Sequence, residues 1–133
     1  MTEAEIRDRV AEVLALVGMA GVEEKLPSEL SGGMRKRVGL ARAVALTPRI
    51  VLYDEPTTGL DPRNVDKINE LITDLRAKLH VTSVVVTHDI QSALRISDRV
   101  ALLSEGRVAE TGTPAEITQA EHSAVQEFLA GHL

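Results

Sequence analysis

Two adjacent carboxylates, Asp54 and Glu55, follow the apolar run Ile50-Val51-Leu52-Tyr53 and precede Pro56. Neighbouring side chains on an extended chain face opposite sides, so such a pair can divide the labour that phosphoryl transfer needs. One carboxylate can hold a hard cation while the other polarises a water. The competing assignment is an acidic strand exit on the surface. Ser31-Gly32-Gly33 offers complementary chemistry: serine can cap a helix, two glycines leave backbone N–H groups unobstructed, and a helix start of this build binds anions. Arg35, Lys36 and Arg37 crowd that helix's first turns. Positive charge there opposes the helix dipole by a few tenths of a kcal/mol each, a cost that an anionic partner would reverse. A plain serine cap with a solvated basic face is the alternative. A third stretch, Ser83-Val84-Val85-Val86-Thr87, ends in His88-Asp89 as the first ends in Asp54-Glu55. A satisfied structural imidazole is the competing role for His88.

The elements that must position these residues can be read from their spacing. An unbroken apolar run marks a parallel strand covered on both faces, and in open α/β sheets ligands sit beyond the carboxyl ends of the strands. Thr2-Glu3-Ala4-Glu5 has the form of a capping box, and Ile6, Val10, Val13, Leu14 and Val17 follow at helical spacing before Gly18, with Arg7, Asp8 and Glu12 on the other face. Residues 19–29, with Gly21 and Pro27, read as a connecting loop. The helix after Ser31 carries the stripe Met34, Val38, Ala41 and Ala45 and is closed by Pro48. Asp61 and Pro62 suit an N-cap and first helical position. The helix they start directs Val65, Ile68, Leu71, Ile72, Leu75 and Leu79 inward and ends near His80, read as a helix-end histidine. A helix over about 89–96 leads to a hairpin of 99–104 and 107–112 about Glu105-Gly106. Thr113-Pro114-Ala115-Glu116 repeats the capping-box form, and a last helix holds Val125, Phe128 and Leu129, while His122 and His132 lie in polar surroundings and read as solvated.

Composition bounds the function. The chain has 133 residues, 44% of them hydrophobic, which suits one domain with a core. A net charge of -5, and only Tyr53 and Phe128 as aromatics, argue against nucleic acid as a partner. The absence of cysteine excludes thiolate metal sites and disulfides. No apolar run reaches the roughly 18 residues of a membrane span and no signal-peptide pattern follows Met1, so the expectation is a soluble, cytoplasmic protein.

Leu30-Ser31-Gly32-Gly33-Met34-Arg35-Lys36-Arg37-Val38, Ile50 to Pro56, Gly59-Leu60-Asp61 and Thr87-His88-Asp89 together resemble, in the family's order, the ATPase subunits of ABC transporters. They are similar to its signature, Walker B strand with catalytic glutamate, D-loop and H-loop. The resemblance covers about 26–133 and, more loosely, the first helix. The wording of Gly33 to Arg37 and the tail Val125 to Gly131 look most like the Mla/Mkl-type subunits that move lipid between membranes.

What the resemblance implies is specific. Asp54 would hold Mg²⁺ through water, Glu55 would polarise the attacking water, and His88 would contact the γ-phosphate of ATP. Ser31, Gly32 and Gly33 would contact the γ-phosphate held by the opposite subunit of a head-to-tail dimer, with Asp61 crossing the same interface. Transmembrane permease subunits would be the further partners and would hold the chain at the inner face of the cell membrane. The implied fold is α/β, the C-terminal part of a P-loop NTPase domain, with parallel strands, flanking helices and a C-terminal hairpin. Within it, 1–47 would form the helical and signature part, 48–113 the core, and 114–133 a helical tail.

The chain departs from the family in one decisive respect: it holds no G-x-x-x-x-G-K-S/T. The aromatic and glutamine loops that precede the signature in the family are absent too. The expectation is therefore a chain beginning inside the helical subdomain, with the phosphate cradle on an N-terminal half. Two readings compete: part of an ATP-hydrolysing transporter subunit, inactive alone, or a truncated, non-catalytic module docking on a partner. DNA-repair ATPases with a similar signature are disfavoured, since no heptad coiled coil accompanies the motif.

Overall fold

The computed structural model describes residues 1–121 and 123–130. His122 and His132, and the Gly131 end of the tail, lie outside the described residues. The chain forms two compact units, Met1–Val86 and Thr87–Leu133.

In the first unit, α1 (Glu3–Leu16) and α2 (Gly32–Val44) pack on one another, and β1 (Ile50–Asp54), α3 (Pro62–Leu79) and β2 (Thr82–Val86) form a β-α-β crossover. The helix starts follow local chemistry. Thr2 closes a capping box with Glu5, the Ser31 side chain accepts from Met34 N at 3.3 Å, and Asp61 accepts from the first-turn N–H groups of Arg63 and Asn64 ahead of Pro62. Helix ends are closed at longer range. Arg9 of α1 donates from Nε to Ala45 O at 2.7 Å and from Nη2 to Val44 O at 3.1 Å, while Arg37 of α2 donates from Nη1 to Val17 O at 2.9 Å. Cations on terminal carbonyls are the stabilising arrangement. Gly18 turns the chain at φ +69°, and a Cβ there would stand 3.0 Å from Arg37 Nη1.

The apolar faces differ in part from those read off the sequence. In α1 only Val13 and Leu14, with Val17 at the cap, are buried, whereas Ile6 and Val10 are exposed. α2 buries Leu40, Ala41 and Val44 and leaves Met34 and Val38 half-buried; it ends at Val44, ahead of Pro48. α3 buries Ile68, Leu71, Ile72 and Leu75 as expected, adds Asn69, and stops at His80 in a left-handed cap at φ 51°.

β1 and β2 pair in parallel from Ile50 opposite Thr82 to Asp54 opposite Val86. Val51 and Tyr53 point into the core, while Ile50, Leu52, Val84 and Val86 lie on an exposed face. This corrects the expectation of strands buried on both faces. Only the Val51 and Tyr53 side is covered among the described residues, because one helical crossover lies to one side of a parallel pair.

The second unit holds α4 (Ile90–Ile96), β3 (Val100–Ser104), β4 (Arg107–Gly112), α5 (Pro114–Gln119) and α6 (Ser123–Ala130). Glu105 and Gly106, at φ 50° and 73°, form the tight turn that suits the strand twist, and the antiparallel ladder carries a bulge between Leu102 and Leu103. α5 begins at a capping box of Thr113 with Glu116, and α6 buries Val125 completely. Among the described residues no helix is long and apolar enough to cross a membrane.

Candidate functional site

Glu55 has a φ of +47°, a conformation that costs an L-residue about 1–3 kcal/mol and persists only where its surroundings enforce it. Those surroundings are explicit. Its N–H continues the strand ladder to Val86 O at 2.8 Å, and its carbonyl accepts from Thr58 N at 3.3 Å and from Lys36 Nζ at 3.2 Å. The Thr58 hydroxyl donates to Glu55 Oε2 at 3.0 Å, and Pro56 and Thr57 are buried beneath the turn. Asp54, the last residue of β1, is exposed on the side of Leu52, and its carboxylate makes no hydrogen bond or ion pair among the described residues. The strand thus delivers one open carboxylate and one held by its neighbours.

At the start of α2, the bonds Met34 N to Ser31 Oγ and Arg35 N to Ser31 O leave the N–H groups of Gly32 and Gly33 without acceptors in the helix. The basic residues that follow have partners of their own. Arg35 Nη1 donates to Leu30 O at 2.6 Å, Lys36 to Glu55 O, and Arg37 to Val17 O. They brace the helix against three other segments instead of forming a solvated basic face. Sequence reasoning gave Lys36 and Thr58 no individual role; their acceptors lie on a backbone whose left-handed turn no residue type announces.

The Asp61 carboxylate accepts from Arg63 N, Asn64 N and Asn64 Nδ2 at 3.1, 3.2 and 2.5 Å. The Asn64 side chain, then the backbone bonds, hold its acid below the usual range. The same Asn64 side chain lies 3.7 Å from where a Cβ on Gly33 would stand, so the start of α2 adjoins the start of α3. An open cleft of about 550 Å³ lies beside them, lined by Gly32, Lys36, Leu52, Asp54, Thr58 and Gly59 among others. The structure therefore brings Gly32 and Asp54 to one cleft, with Gly33 and Asp61 linked through Asn64.

His88 belongs to the second unit, exposed, one residue before the N-cap of α4. Asp89 fills that cap, accepting from Ser92 N at 3.1 Å and Ser92 Oγ at 2.6 Å. Partial burial raises its acid, but the bonds from Ser92 and the backbone, with the neighbouring His88 imidazole, outweigh this and leave it lowered.

Residues 1–58 match the family model described as ABC transporter. That stretch is under half of the chain, so the likeness to ABC transporters rests on α1, α2 and the exit of β1. Among the chain's relatives, the sulfate/thiosulfate import ATP-binding protein CysA 2 of Chromobacterium violaceum is 49% identical over 122 residues, 91% of this chain and 33% of the relative. The probable ribonucleotide transport ATP-binding protein mkl of Mycobacterium tuberculosis is 44% identical over 129 residues, 97% of this chain and 36% of the relative. The methionine import ATP-binding protein MetN of Erwinia pyrifoliae is 49% identical over 107 residues, 80% of this chain and 33% of the relative. The chain thus spans about a third of the length of these relatives. A solved ATP-binding cassette of an ABC transporter, MJ1267 in its ADP conformation, superposes with a TM-score of 0.85 at 23% identity, covering 98% of this chain and 52% of that one. That likeness speaks for the α/β fold alone, and the expected parallel strands, flanking helices and hairpin are found.

Proposed function

We propose that this chain supplies the Walker B, signature, D-loop and H-loop elements of an ATP-hydrolysing subunit that powers an ABC transporter. The observation that carries the reading is the exit of β1, where Asp54 is open and Glu55 is clamped in a left-handed turn beside the glycine-led start of α2. In the proposed division of work, Asp54 holds Mg²⁺ through water, Glu55 polarises the attacking water and His88 touches the γ-phosphate. Ser31, Gly32, Gly33 and Asp61 serve the nucleotide of a second subunit across a head-to-tail dimer.

The residues fit these groups. No cluster of three or more metal-ligating side chains exists among the described residues, and Mg²⁺ ordinarily takes one or two carboxylates, completing its shell with water and substrate phosphates. When bound, Mg²⁺ supplies charge neutralisation at the phosphates. The N–H groups of Gly32 and Gly33 supply the polarity that a phosphate needs.

The 133 residues hold no phosphate-cradling P-loop, so the cradle is contributed by other residues of the working subunit, an N-terminal half in this reading. The same absence favours the second reading, a non-catalytic module that docks on a partner. The proposed layout keeps 1–47 as helical and signature part, 48–113 as core and 114–133 as tail. Permease subunits are the further proposed partners, holding the protein peripherally at the inner face of the cell membrane. A lipid cargo of Mla/Mkl type is the narrower proposal, supported by the wording of Gly33 to Arg37 and of the tail Val125 to Gly131. A gene for a lipid-binding periplasmic component beside this one is its expected sign, and a sulfate- or methionine-binding component there would refute it.

Glu55→Gln in a complex that also contains the P-loop tests the main reading. ATP turnover should fall by about 10²–10⁴-fold while nucleotide binding, followed with a fluorescent ATP analogue, persists. Turnover near the wild-type rate would assign the water to another group, and no turnover in the unmutated complex would favour the docking module.

A further inference from the structure

Glu55 is held by contacts that no motif requires, and they come from two directions. Its main-chain carbonyl accepts from Lys36 Nζ at 3.2 Å, a residue of α2 standing 19 positions earlier. Its carboxylate accepts from the Thr58 hydroxyl at 3.0 Å, and Thr58 N closes the turn back onto the Glu55 carbonyl at 3.3 Å. The side chain leaves the strand from a backbone at φ +47°, which an unsupported glutamate would abandon for the extended or right-handed region. Lys36 fixes where the backbone turns, and Thr58 fixes where the carboxylate points. Resting on the proposed ATP hydrolysis, we infer that Lys36 and Thr58 are positioning residues for Glu55, aiming its carboxylate at the attacking water. Lys36 also lies on the helix whose N-terminus carries Ser31, Gly32 and Gly33, so a shift of that helix is transmitted to the carbonyl of Glu55 through one hydrogen bond.

A structural brace and a positioning residue predict different kinetics. A brace, once lost, lowers stability, or nucleotide affinity and turnover together. A positioning contact changes the geometry of attack and leaves the nucleotide bound as before. The experiment uses the ATP-hydrolysing complex containing the full chain, with steady-state kcat and KM for ATP measured for Lys36→Met, Lys36→Arg, Thr58→Val and Thr58→Ser. Misplacement on this scale should lower kcat about ten- to hundredfold in Lys36→Met and Thr58→Val, with KM within about twofold of wild type. Lys36→Arg and Thr58→Ser, which keep a donor, should restore most of the rate. Amide exchange at Glu55 should speed up in Lys36→Met while a core amide such as that of Leu75 stays protected; this readout stands even where one variant purifies poorly. Three results overturn the inference: unchanged kcat in both donor-less variants, an equal loss in the donor-keeping ones, or kcat and KM changing in parallel. Turnover that is lost in Glu55→Gln but indifferent to Lys36→Met and Thr58→Val removes the inference and leaves the function standing. No turnover in the unmutated complex removes both.

Discussion

Ile50, Leu52, Val84 and Val86, all on one face of the β1–β2 pair, keep 59, 75, 48 and 56% of their surface in water. Full burial of such a side chain is worth about 1.5–3 kcal/mol, so covering the part still exposed would contribute roughly 4–7 kcal/mol for the face. That is comparable with a domain's whole stability of about 5–15 kcal/mol. Two copies meeting face to face would double the gain to about 8–14 kcal/mol, the same size as an association cost of about 4–15 kcal/mol, so the expected association is weak and concentration-dependent. Open edges of a two-stranded parallel sheet add to the tendency. The purified 133-residue chain should therefore self-associate, with an apparent mass that rises with concentration in size-exclusion chromatography with light scattering. Leu52→Lys together with Val84→Lys should abolish that rise and, being surface changes, move monomer stability by only about 0.5 kcal/mol each in urea. A wild-type chain that stays a monodisperse monomer at high concentration, with a steep cooperative transition, would refute the reasoning by showing that the bare face is no liability.

Other expectations follow from individual residues. The isolated chain should hydrolyse ATP at background rate, since Glu55 has no nucleotide held in front of it without a P-loop; robust turnover abolished by Glu55→Gln would contradict this. Ser31→Arg in one chain of a mixed dimer should silence a single site with cis nucleotide binding kept, and equal loss at both sites would argue against action in trans. Leu75, fully buried in α3, should lose about 2–5 kcal/mol on Leu75→Ala, read from urea denaturation. Three carboxyls at helix starts have pKa values lowered from the usual carboxylate range: Asp61 through Asn64, Asp89 through the bonds that outweigh its burial, and Glu116 through the Thr113 N–H and hydroxyl. A lowered folded value stabilises above the unfolded one and is lost as pH falls through the folded one. Helicity followed by circular dichroism should thus decay below about pH 4, and Asp89→Asn should flatten that decay; an unchanged acid profile would count against it.

What could be read without coordinates was mostly local. Thr2, Asp61 and Thr113 announce their caps because the acceptor and the N–H groups it satisfies lie within three residues of one another. The apolar run before Asp54 and the proline after Glu55 place both carboxylates at a strand exit. What failed depended on distance. Whether Leu52 faces protein or water is decided by what packs on the sheet, and the stripe of α2 shifts to Leu40 and Val44 because of its neighbours. The acceptors of Lys36 and Arg37 lie 19 and 20 residues away, and nothing in the residue type of Glu55 signals a left-handed backbone.

Arg9 of α1 closes the carbonyl end of α2, and Arg37 of α2 closes the carbonyl end of α1. Each helix closes its last turn with backbone bonds of its own, Met19 N to Leu14 O in α1 and Thr47 N to Val44 O in α2, and takes a further terminator from the other. Fraying cannot then be a private event. When the last turn of α1 opens, Val17 lets go of Arg37, and the helix carrying the glycine-led start is loosened at the same moment. The two should open as one unit, with amide protons at both C-terminal turns exchanging at a common rate, and a substitution at Arg9 should be felt first at the far end of the other helix.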